Sequence, residues 1–190
     1  MIRIGILGAI GSGKSYVAKS FGYPVFNADH EVSKLYRNDK KIYNKLKKNL
    51  PRNNISFPVN KEEISKAILA NNSNLKKIIK IVHFEVRRKM KVFLIKNKNK
   101  KIVILDIPLL LENKINGKKD ILVFVESKKS DILKRLNKRD NFNEKLFNKF
   151  KAIQLSPTYK KNKSQFIIKN NFTKKSVTIA IKSILKKIIK

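Results

Sequence analysis

The chain has 190 residues, no cysteine and only two histidines, His30 and His83, which excludes disulfide scaffolds, thiolate zinc sites, cysteine nucleophiles and multi-histidine metal centres. Its length suits one domain with a small insertion, and an apolar content of 42% is enough to bury a core. The net charge of +33 rests on 46 basic against 13 acidic residues, yet only seven of the basic ones are arginine, so it reads as drift toward lysine in preference to a nucleic-acid surface built on arginine forks.

Residues 2–7 form a short β-rich run ended by Gly8, Gly11 and Gly13, and a helical pattern follows over 14–21. Residues 23–26 read as a second strand, with Asp29 placed to cap the helix that begins beside it. The lysine- and asparagine-rich stretch 39–60 is a loop or part of a helical insertion. Asn60 and Glu63 resemble a capping box that opens a helix to Ala70; 71–74 breaks it, and a long helix spans 75–95. The runs 101–106 and 121–125 are continuously apolar, as buried parallel strands are. Two helices separated near Asp140 occupy 130–154, residues 165–169 form a last strand, and Thr173 caps a final helix striped by Val177, Ile181, Ile184, Leu185 and Ile188. Strands alternating with helices predict a three-layer α/β domain with a mostly parallel sheet. The apolar N-terminal stretch is too short for a secretory signal and the longest greasy run, 102–111, is far short of a span, so a soluble cytoplasmic protein with no membrane partner is expected.

Residues 8–15, GAIGSGKS, match G-x-x-x-x-G-K-[ST]. Glycines let such a loop aim its amides at phosphate oxygens, the Lys14 ammonium reaches the β- and γ-phosphates, and the Ser15 hydroxyl is a hard ligand for Mg²⁺. Two acids end predicted strands, where open α/β sheets place their sites: Asp29 and Asp106. One acid must orient or deprotonate an acceptor hydroxyl, and another can support Mg²⁺ through water. Asp106, closing a buried apolar strand, suits the second role. Arg135 and Arg139, spaced i, i+4, are expected on one helix face of a lid that clamps phosphates. His83 by itself reads as a structural helical histidine, and Glu112 as a surface acid or a site residue.

Taken together, these residues resemble the dephospho-coenzyme A kinase family of P-loop kinases. The resemblance spans nearly the whole chain: the loop at 8–15, Asn27-Ala28-Asp29 for a D-A-D segment, the helix carrying His83 and Arg87, Asp106-Ile107-Pro108-Leu109-Leu110-Leu111-Glu112 for D-x-P-L-L-x-E, Arg135 to Asp140 for R-x-x-x-R-D, then Gln154, Lys160 and a late strand ending at Asn170. It implies a P-loop fold with a five-stranded parallel sheet, core about 1–30, 100–130 and 164–190, a helical acceptor-binding insertion about 31–99 and a lid about 131–163. It implies transfer of the γ-phosphoryl of ATP, with Mg²⁺, to the ribose 3′-hydroxyl of dephospho-CoA, by a monomer or weak homo-oligomer with no nucleic-acid partner. Gly11, Ser12, Gly13, Lys14, Ser15, Tyr16, Arg135 and Arg139 would hold ATP. Lys14, Asp29 and Arg139 would carry catalysis, Ser15 and Asp106 the metal, and Asp29, His83, Arg87 and Glu112 the acceptor. The sequence departs from the pattern at Asn27, Tyr16, Phe84, Tyr159 and Gln165. The competing readings are a P-loop kinase for another small acceptor, such as a nucleoside monophosphate, a basic nucleic-acid-binding P-loop ATPase, and an ATP-binding protein without turnover.

Overall fold

Short Ile- and Val-rich runs between turns become strands, because β-branched side chains pack well on a pleated surface and each run is too short for a buried helix. In the computed structural model, which describes residues 1–140 and 142–189, the order is β1 (Ile2–Gly8), α1 (Lys14–Ser20), β2 (Val25–Asn27), α2 (Ala28–Asn38), α3 (Lys40–Asn49), α4 (Lys61–Ala70), α5 (Asn72–Lys96), β3 (Ile102–Asp106), β4 (Ile121–Glu126), α6 (Lys129–Asn137), α7 (Glu144–Ala152), α8 (Pro157–Asn162), β5 (Phe166–Lys169) and α9 (Lys174–Ile188). Two compact units result: Met1–Asn27, Lys96–Phe142 and Ile153–Lys190 form the first, and Ala28–Ile95 with Asn143–Ala152 the second.

The first unit holds the whole sheet, five parallel strands in the order β2-β3-β1-β4-β5. All five residues of β3 are buried, as a strand flanked on both sides requires. Ile4, Ile6, Ile102, Ile104, Val123, Val125 and Ile168 pack with Val17, Ala18 and Phe21 of α1 and Val177, Ile181 and Ile184 of α9. Each of the Ile, Val and Phe side chains contributes about 1.5–3 kcal/mol when fully buried. Thr173 caps α9 as expected, its hydroxyl accepting from the Ser176 amide, and the predicted stripe is the buried one, with Leu185 and Ile188 at its margin.

The second unit is helical. Asp39 caps α3, accepting from the Lys41 and Ile42 amides at 2.9 and 3.1 Å, so 39–60 is a helix followed by a loop. Asn60 caps α4, accepting from the Glu62 amide. Glu63 takes the Ser56 amide and hydroxyl, and these bonds, with a smaller contribution from the Asn60 amide, hold its carboxyl below the usual range. The break expected at 71–74 shrinks to Asn71 alone. The Asn71 side chain accepts from the Ser73 amide, and buried Asn74 donates to the Ala67 carbonyl at 2.8 Å, so α5 starts at once. Burial pushes the Tyr36 phenol up to about 12.

Three further expectations change. Asp29 does not cap α2; it lies inside the first turn, where its charge favours the helix dipole. The segment 131–163 divides, α6 and α8 belonging to the first unit and α7 to the second. Helix α8 went unpredicted although its signals are present: Ser156 accepts from the Tyr159 amide and Pro157 opens the first turn. No helix among the described residues is long and apolar enough to cross a membrane.

Candidate active site

The loop between β1 and α1 sits at the carboxyl end of the sheet's central strand, where Gly8 pairs with Val125 of β4. Gly13 has φ 89°, the left-handed region, and a β-carbon there would run into the Asn170 side-chain amide, so neither the backbone nor the space admits another residue. The loop is braced from two neighbouring strands. The Ser12 carbonyl accepts from the Ser127 hydroxyl at 3.0 Å, just after β4, and from Asn170 Nδ2 at 2.9 Å, just after β5. Asn170 is buried, and its Oδ1 accepts from the Phe172 amide. Ser12 is itself buried, its hydroxyl without a hydrogen-bond partner among the described residues. Lys14 Nζ donates to the Gly8 and Ala9 carbonyls at 3.2 and 2.8 Å, folding over its own loop. Helix α1 begins at Lys14 with no side-chain cap, and Tyr16 stands half-exposed on it.

Asp106 ends β3 directly opposite Asn27, the last residue of β2. The carboxylate is buried, with Oδ2 accepting from Asn27 Nδ2 at 2.6 Å, and no cation of the protein pairs with it among the described residues. Together with the Ser15 hydroxyl this donor set, one carboxylate and one hydroxyl, fits a Mg²⁺ ion that arrives with nucleotide phosphates and keeps much of its water. No cluster of three or more metal-ligating acids or histidines occurs among the described residues.

Glu112 is nine-tenths buried in an ion pair. Its Oε1 lies 2.8 Å from Lys160 Nζ and accepts from the Leu155 amide at 3.0 Å, while Lys160, 2% exposed, also donates to Gln154 at 3.3 Å. Arg135 lays its guanidinium 4.3 Å from the centre of the Phe172 ring. The shared helix face expected for Arg135 and Arg139 is not formed. Helix α6 ends at Asn137, and Arg139 follows in a turn in which its amide bonds the Leu136 carbonyl at 3.1 Å.

The other acceptor-side candidates lie in the second unit. Asp29 is exposed in the first turn of α2, and His83 and Arg87 lie one turn apart on α5. Burial lowers the His83 pKa, and the Arg87 charge lowers it further, so the imidazole is neutral at pH 7. The first unit thus gathers Gly11, Ser12, Gly13, Lys14, Ser15, Tyr16, Asp106, Glu112, Arg135 and Arg139, and the second gathers Asp29, His83 and Arg87.

Ser127 escaped the sequence reading entirely, because a serine after a strand has no motif around it. Asn170 was visible only as the end of a strand, and the Glu112–Lys160 pair only as two separate letters. All three are tertiary contacts across 48 to 158 positions for which spacing carries no signal.

The family model for dephospho-CoA kinase matches residues 2–176. The chain is 37% identical over 187 residues to the dephospho-CoA kinase of Wolbachia pipientis wMel, covering 96% of this chain and 95% of the relative. It is 34% identical to that of Bartonella henselae over 192 residues, covering 96% and 98%. Among solved structures, TT1252 from Thermus thermophilus superposes with a TM-score of 0.77 at 25% identity, covering 98% of this chain and 97% of that one. A shikimate kinase from Bacteroides thetaiotaomicron, 11% identical with a TM-score of 0.51 over 100% and 99% of the two chains, shares the fold. With the family model spanning residues 2–176, the chain belongs to the dephospho-CoA kinase family.

Proposed function

We propose that this chain is an ATP-dependent dephospho-CoA kinase that phosphorylates the ribose 3′-hydroxyl of its acceptor. The observation that carries the reading is the braced phosphate loop at the end of β1, in a chain that belongs to this family from residue 2 to residue 176. Loop amides from Gly11 to Tyr16 and the Lys14 ammonium bind the ATP phosphates, once Lys14 exchanges its carbonyl partners for phosphate oxygens. Ser15 and Asp106 would hold the Mg²⁺ that accompanies ATP, which would supply charge neutralisation to the phosphates.

Asp29 accepts the proton of the 3′-hydroxyl as that oxygen bonds to the γ-phosphorus, while the bond from the γ-phosphorus to the bridging oxygen breaks and ADP departs. Arg135 and Arg139 neutralise the transferring charge and exclude water. His83 and Arg87 bind the acceptor, Arg87 by charge and His83 as a neutral imidazole able to donate or accept. Glu112 serves the acceptor side through the segment it anchors with Lys160. Catalysis is positioning and electrostatics in the main.

The test is a substrate panel. Purified protein consumes ATP with dephospho-CoA and releases ADP and the 3′-phosphorylated product, and Asp29→Asn loses at least about a hundredfold in kcat while ATP binding is retained. Turnover with a nucleoside monophosphate and none with dephospho-CoA would overturn the acceptor assignment.

A further inference from the structure

At the carboxyl ends of β2 and β3, the parallel register sets Asn27 and Asp106 side by side. Asp106 is 3% exposed, and its Oδ2 accepts from Asn27 Nδ2 at 2.6 Å. Its other oxygen, Oδ1, accepts no hydrogen bond from the described residues. A second carboxylate at position 27 would set like charges against each other at that separation, and an apolar residue would leave Oδ2 buried with no donor. An asparagine supplies a donor and adds no charge. Its own place is secured by the β2–β3 ladder, so the bond fixes both the rotamer of Asp106 and which of its oxygens is spent.

We propose that Asn27 is a positioning residue for Asp106: by holding Oδ2 it reserves Oδ1 for the water shell of the nucleotide-bound cation. The proposal rests on the assignment of Asp106 to that cation.

The experiment is a double-mutant cycle on cation binding, with no turnover involved. Mn²⁺ replaces Mg²⁺, a non-hydrolysable ATP analogue replaces ATP, and bound Mn²⁺ is read by electron paramagnetic resonance in the wild type, Asn27→Leu, Asp106→Asn and the double variant. Asn27→Leu weakens Mn²⁺ binding by about tenfold in the wild-type background and by less than about twofold once Asp106 is replaced, because its effect passes through that carboxylate. Equal weakening in both backgrounds, or none in either, overturns the proposal. If Asp106→Asn alone leaves Mn²⁺ binding unchanged, the assignment of Asp106 to the cation falls first and the proposal with it. Should Asn27→Leu fail to fold, Asn27→Ala takes its place in the same cycle, with the same outcomes.

Discussion

Among the described residues Lys160 is the largest side chain the fold buries completely, and its charge is tolerable because Glu112 and Gln154 meet it. Desolvating two ions is costly, so the pair is worth little against an apolar replacement, but breaking it leaves one charge buried and alone. Glu112→Gln should therefore cost about 3–5 kcal/mol of stability, and Glu112→Leu with Lys160→Met should recover most of that, as measured by urea unfolding. A Glu112→Gln variant as stable as the wild type would show the pair to be dispensable. His83 gives a second prediction. Its folded pKa lies below the ordinary value of 6.5 through burial and the Arg87 charge. Between those two values the unfolded chain binds more protons, so stability rises with pH through that interval, and above it the group contributes nothing. Unfolding free energy measured from pH 5 to 7.5 should fall less on acidification in His83→Gln than in the wild type; identical slopes would refute the assignment.

Among the elements, helix starts were the most legible, because capping is local chemistry. Asn60 and Thr173 each accept a first-turn amide as their positions implied. Asn60→Ala should cost about 1 kcal/mol, seen as a lower urea midpoint at an unchanged slope. A changed slope would mean that the loop before α4 is lost as well. Helix ends were harder to read. The spacing of Arg135 and Arg139 implied one continuous helix, but nothing in the charge pattern marks the turn at Lys138 that removes Arg139 from it. Asn71 to Asn74 looked like a break because asparagine is a poor helix former. Their side chains instead satisfy backbone groups at the α4–α5 junction and let the second helix start after a single residue.

For the molecule as a whole, the charge of +33 is mainly background composition, which a phosphate-handling enzyme with polyanionic substrates tolerates well. Positive potential raises the encounter rate with such ligands and is screened by salt. Raising KCl from 0.05 to 0.5 M should lower kcat/KM for dephospho-CoA by about fivefold, with the change in KM and kcat nearly constant. A fall confined to kcat would place the salt effect on a step after binding. The same charge explains why composition misleads: lysine is spread along the chain, whereas the proposed site draws on Lys14 and a few acids and arginines at set places.

The sequence by itself determined the phosphate-loop motif, the alternation of strands and helices, and the family, because each is written in short spacings or local periodicity. Only the tertiary structure decided what holds these groups. It set Asn27 against Asp106 through strand register, braced Ser12 from Ser127 and Asn170, and buried Lys160 on Glu112. Those contacts join residues distant in the chain, and their energy comes from burial and register, which exist only once the sheet has formed.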